Sequence, residues 1–160
     1  MALTMLEKPT RQRSKTQWPA AIREEFEREA RNPNGCVGQW LLSENDKVRV
    51  WRICLRPGER VGFHRHVLDY FWSAVTSGRG RQYFNDGEMR EYAYHAGETR
   101  HETYGSGEFK VHDLQNIGDT DLIFVTVEFL DSANRPLPIP DAVRVRNKRP
   151  CRATQCGDCP

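Results

Sequence analysis

Two of the chain's five histidines stand two residues apart, in His64-Arg65-His66. In an extended strand, residues i and i+2 point to the same face. Two neutral imidazoles on one face can grip a single metal ion from one side, and imidazole suits zinc, iron, copper or nickel. Pro57-Gly58 precedes this pair, and Gly78 closes the stretch that follows it. Further along, His112-Asp113-Leu114-Gln115-Asn116 leads through Gly118-Asp119 into a strongly β-forming run. A second concentration of reactive residues lies at the C-terminus, where Cys151, Cys156 and Cys159 share the last ten positions. A Cys-x2-Cys pair can hold zinc or iron as thiolates, but a structural zinc takes four ligands and this tail supplies three. The segment therefore reads as an unstructured tail, with metal binding and redox chemistry as the alternatives. Cys54, inside a strand pattern, reads as a small buried hydrophobe.

The elements that must position these groups follow from periodicity. Residues 1–17 are polar and mixed and read as a flexible N-terminus. Residues 18–34 read as a helix: Pro19 suits the first turn, good helix formers follow, and Asn32-Pro33-Asn34-Gly35 ends it. Ile22, Phe26 and Ala30 recur at i, i+4 and i+8, one narrow apolar stripe for packing on the outside of something larger. Residues 35–131 change to short strands with turns between them. RGRQYF and MREYAYHA flank Asn85-Asp86-Gly87, a strong hairpin signal. Closely spaced β segments without βαβ alternation predict an all-β sandwich or barrel. Residues 132–160 form a Pro-rich, basic, Cys-containing tail whose prolines at 136, 138 and 140 favour an extended path.

PGERVGFHRHVLDYFWSAVTSGRG resembles the first motif of the cupins, and VHDLQNIGDTDLIFVTVEF, with its His-x-x-x-Asn, resembles the second. The resemblance is closest to small single-domain bacterial cupins, some relatives of which are associated with β-alanine degradation. It implies a double-stranded β-helix, or jelly-roll barrel, with a metal inside one mouth. It also implies His64, His66 and His112 as nitrogen ligands and one divalent transition metal, iron, zinc, nickel or manganese, as cofactor. The usual first motif has a glutamate soon after its second histidine, and here Tyr70 and Phe71 stand in that place. Tyr70 shares parity with His66, inherits the inward slot, and becomes the candidate acid or orienting group. His101, in an insert before His112, competes for the third ligand place.

Lumen-facing residues share parity with the ligands: Leu68, Tyr70 and Trp72 around the first pair, and Lys110, Leu114 and Asn116 around His112. The hairpin that follows offers Arg81 and Tyr83 on one strand and Arg90, Tyr92 and Tyr94 on the next. Aromatics on both faces leave the inward side of each strand open. Arg81 or Arg90, turned inward, would suit a carboxylate through a bidentate contact. Arg81, Tyr83, Tyr94 and Trp72 are the substrate-contact candidates.

The chain has 160 residues, enough for one ordinary domain with short extensions. A net charge of +2 argues against a globally basic nucleic-acid binder. No run reaches the length of a membrane span, and the N-terminus lacks the apolar core of a secretory signal. Five cysteines, an odd number crowded at one end, read as a reduced cytoplasmic protein rather than a secreted disulfide framework. The expectation is a metal-dependent cupin enzyme, dioxygenase-like or a lyase or isomerase, acting on a small carboxylate-bearing metabolite. The alternative is a non-catalytic cupin that binds or senses a small molecule. A homodimer is expected from the habit of cupins to pair through their sheets.

Overall fold

The computed structural model describes residues 11–12 and 14–145. Its elements in chain order are β1 (Arg11–Gln12), α1 (Ala20–Arg31), β2 (Trp40–Glu44), β3 (Val48–Leu55), β4 (Arg60–His66), β5 (Tyr70–Ala74), β6 (Gly78–Tyr83), β7 (Met89–Tyr94), β8 (Thr99–Glu102), β9 (Lys110–Asn116) and β10 (Leu122–Phe129). They form two five-stranded sheets, in the orders β1-β7-β6-β9-β4 and β2-β3-β10-β5-β8.

The antiparallel pairing is nested: β3 with β10, β4 with β9, β5 with β8, and β6 with β7. This is one long two-stranded ribbon that turns back at the Asn85-Asp86-Gly87 hairpin, where Gly87 takes φ 91°. The ribbon is wound so that β5 also meets β10 and β6 also meets β9. The result is a jelly roll, a double-stranded β-helix whose two sheets face each other. Among the described residues no helix is long and apolar enough to cross a membrane.

Alternation along each strand separates an inner from an outer layer. Ile53, Leu55, Ala74, Tyr94, Leu114, Leu122 and Phe124 meet between the sheets and fill one part of the roll. Outside the first sheet, Trp18, Phe63, Tyr83, Met89 and Val111 form a second cluster, covered by Ile22 and Phe26 of α1. The helix therefore straps the outer face of the sheet that carries the histidines. Its seam differs from the expected stripe: Ala30 is exposed, while Glu29 is buried. Glu29 takes Arg65 Nε and Nη2, both at 3.0 Å. Glu25 accepts the Phe63 N–H at 2.8 Å and Arg60 Nη1 at 2.6 Å. The helix thus meets the sheet through positions 22, 25, 26 and 29, half of them carboxylates neutralised by arginines of β4.

The expected flexible N-terminus contains strand β1, paired with β7, and a short 3-10 turn at Lys15–Gln17. The Pro-rich segment packs back onto the roll. Ile139 and Val143 cover Val37, Leu41 and Trp51, and Arg144 bridges to Leu41. Cys151, Cys156 and Cys159 lie outside the described residues, as does most of the basic tail. The reading of Cys54 is corrected. It faces outward on β3 and is half-buried rather than part of the core, and it is disulfide-bonded. Among the described residues Cys36 is a free thiol.

Candidate metal centre

β4 and β9 are neighbours, and His64 stands directly opposite His112 in their ladder. A register shift between Val61 and His64 bulges β4 just before the histidines. After the bulge, Phe63 and Arg65 point outward to α1, so His64 and His66 both point inward. Glu25 Oε1 lies directly against Gly62, so that a Cβ at this position would push the carboxylate aside, and the same oxygen accepts the Phe63 N–H. The helix carboxylate therefore locks the bulge that aims the two imidazoles.

One ring nitrogen from each of His64, His66 and His112 lies within 4.8 Å of the others. Their ring centroids are 4.6–5.1 Å apart. Two of the three tautomers follow from the acceptors that face them. The Gly62 carbonyl, 2.9 Å from His64 Nδ1, can only accept, so this nitrogen carries the proton. The Gln82 amide oxygen, 2.6 Å from His112 Nδ1, imposes the same state there. Both rings then present a bare Nε2 lone pair, the arrangement by which protein groups orient metal-binding histidines. His66 Nε2 lies 3.0 Å from His112 Nε2, while His66 Nδ1 is buried without a partner. Burial drives all three pKa values down, that of His64 to about 4. The imidazoles are neutral at physiological pH.

The donor set fits a divalent transition metal. Three neutral imidazole nitrogens converge, and among the described residues no carboxylate joins the cluster. The ion would keep its full charge and its open positions.

The histidines line a cavity of about 280 Å³ between the sheets. Tyr70, Trp72 and Tyr94 line it as well. Tyr70 stacks on His66 with 4.1 Å between centroids, and burial holds its hydroxyl well above the ordinary phenol range. Trp72 meets Tyr94 and Phe124 edge-on.

Arg81 and Tyr83 do not line this cavity. Arg81 faces outward and pairs with Glu91 at 2.7 Å. Tyr83 is in the cluster under α1, 5.1 Å from Trp18. The face of β6 is set by the bridge between Phe84 and His112, which turns Gln82 and Phe84 inward. Of the two arginines considered for the mouth, Arg90 is the inward one, held by Asp86 and Glu88. His101 is exposed and opposite Phe71 on the outer face of β8, on the wrong side of the second sheet for the triad. Asn116 ties the roll rather than the site: its amide donates to Leu55 O and Thr120 O.

Other lining residues were not singled out from the sequence. β8 contributes Arg100 and Glu102, and the turn before it contributes Glu98. Glu128 is buried on the inward face of β10, opposite Tyr70. Burial raises its pKa to about 7 although Trp51 Nε1 donates to it at 2.8 Å. Only the inward parity of Thr126 and Phe124 hints at its place.

No family model and no curated protein matches this chain. Solved structures resemble it. A cupin domain from Bordetella pertussis Tohama I is 26% identical over 54% of this chain and 85% of that one, with a TM-score of 0.48. A double-stranded β-helix protein from Klebsiella pneumoniae is 22% identical over 57% and 75%, with a TM-score of 0.45. An oxalate decarboxylase variant from Bacillus subtilis is 22% identical over 51% of this chain and 21% of that one, with a TM-score of 0.40. The nested pairing of strands decides the architecture independently of these scores. The fold is a double-stranded β-helix. Within it, the three histidines occupy adjacent strands on the inner face of one sheet, beside a cavity open to solvent.

Proposed function

We propose that this chain is a metal-dependent cupin enzyme acting on a small anionic metabolite, with His64, His66 and His112 holding one divalent metal. The observation that carries the proposal is the convergence of three neutral imidazoles, two buried and one half-buried, two of them with tautomers fixed by opposing acceptors, on one cavity. A metal there would act as a Lewis acid with open coordination positions, suiting oxygenase chemistry as iron and lyase or isomerase chemistry as zinc, nickel or manganese. Tyr70 stays protonated beside Tyr104 and would serve as an orienting group rather than a source of a labile proton. Trp72, Phe84 and Tyr94 exclude water along the apolar walls.

Elemental analysis of the purified chain after reconstitution tests this reading. About one metal per chain in the wild type, lost in H64A and H112A, is the expected result. A stoichiometry far below one in the wild type refutes it. A second reading is a non-catalytic binding or regulatory cupin, favoured by Tyr70 standing where a ligating carboxylate is usual. It expects H64A to leave small-molecule affinity intact.

A further inference from the structure

Three cationic side chains line the cavity, and they are not equivalent. Arg90 is held by two carboxylates, Asp86 and Glu88, and lies over the Phe84 ring. Arg100 has 62% of its side chain exposed and is bound to Glu98. Lys110 is different. It stands opposite His66 in the β4–β9 ladder and two residues before His112 on the same face. It is thus flanked by two of the three imidazoles. Its ammonium lies 5.2 Å from the centre of the Tyr70 ring, the same ring that stacks on His66. Its one ion-pair partner among the described residues is Glu102, at 3.2 Å. The Glu102 side chain is 40% exposed against 21% for Lys110. Lys110 is therefore anchored in the wall, while its carboxylate partner stands at the solvent side.

We propose that Lys110 is the specificity-determining cation of the site and binds the carboxylate of a short organic acid, with Glu102 as the internal carboxylate that the ligand displaces. The proposal rests on the metal-binding reading above for the other end of the ligand. Same-face neighbours on a strand are about 7 Å apart along the chain. An acid of two to about four carbons, with a second oxygen donor, is the size that spans Lys110 and the His112 nitrogen. The cavity, at about 280 Å³, has room for such an acid. Glu102 gives selectivity, because a neutral ligand has no charge with which to replace it. The exchange conserves charge, since one carboxylate leaves the ammonium as another arrives.

The test is calorimetric titration of acetate, malonate, succinate and malonamide into the full chain, both zinc-loaded and metal-free. For the zinc-loaded wild type, malonate or succinate is expected to bind at least tenfold more tightly than malonamide. K110M should weaken the acid at least tenfold and leave malonamide unchanged. E102Q, which keeps the shape but removes the competing charge, should tighten the acid severalfold. K110Q repeats the comparison should K110M prove insoluble. Equal acid affinity in wild type and the Lys110 variants overturns the proposal, as does the absence of carboxylate binding by the wild type. Failure of the metal reading is seen separately, as a wild type that takes up no zinc. The metal-free titrations then still compare Lys110 with its variants, and an unchanged affinity there overturns the proposal as well.

Discussion

Replacing Gln82 by leucine isolates the device that prepares His112 for a metal. The Gln82 amide makes two buried contacts: its oxygen takes the His112 Nδ1 proton at 2.6 Å, and its nitrogen donates to the Tyr94 hydroxyl at 2.5 Å. Leucine is of similar bulk and makes neither. Two buried polar groups lose their partner, at about 1–3 kcal/mol each, so urea denaturation of the metal-free chain should show a loss of roughly 2–6 kcal/mol. Metal affinity should fall as well, because His112 is no longer held with its Nε2 lone pair toward His64 and His66. Loss of such an orienting partner costs about 10–100-fold in affinity. A zinc competition against a chromophoric chelator reads this directly. Q82E supplies the control, since a carboxylate still accepts the Nδ1 proton and should recover most of the affinity. His64 cannot be perturbed in the same way, because its orienting acceptor is the backbone carbonyl of Gly62. Should Q82L lose stability yet bind zinc within twofold of the wild type, the tautomer argument is wrong, and the Gln82 contact serves packing alone.

Other expectations concern the groups around the centre. Burial raises the Glu128 pKa to about 7 in the folded chain, above its unfolded value. Its contribution to stability is therefore full below about pH 4.5 and is lost as pH rises through 7, by up to about 3 kcal/mol. E128Q, neutral and still able to accept from Trp51, should be more stable than the wild type at pH 8 and lose that advantage by pH 5, as thermal or urea melts at the two pH values will read; equal gaps at both contradict it. At the helix seam, E29A leaves Arg65 without its carboxylate and R65A leaves a buried glutamate unpaired, each costing about 3–5 kcal/mol. The double variant should lose clearly less than the sum of the two in urea melts. R81A, which touches only the outer Glu91 pair, should change stability by no more than about 1 kcal/mol and leave zinc and malonate affinity unchanged. A loss of acid affinity in R81A would return that arginine to the cavity.

Much of this was legible in the residues themselves. The i, i+2 spacing of His64 and His66 placed both on one face whatever that face met. The same parity carried Tyr70, Trp72, Lys110 and Leu114 to the cavity, where the structure places them. The Asp86-Gly87 turn placed the hairpin, and the β-rich spacing gave the fold class. These are local properties, set by the two-residue repeat of a strand and by the φ values that glycine tolerates.

What local periodicity cannot state is which face of an element meets which neighbour. β6 and β7 carry arginines and aromatics on both faces, so only the Phe84–His112 register turned Gln82 inward and Arg81 outward. The helix seam shows the same limit. Glu25 and Glu29 lie off the stripe of Ile22, Phe26 and Ala30, and it is Arg60 and Arg65, about 35 residues later, that bring them to the seam. His101 looked like a ligand by residue type, and its pairing with Phe71 on the far face removes it. The amino-acid order determined which side chains travel together. The winding of the ribbon decided which of those sets would share an interior, because burial and charge pairing act between strands that the chain itself keeps far apart.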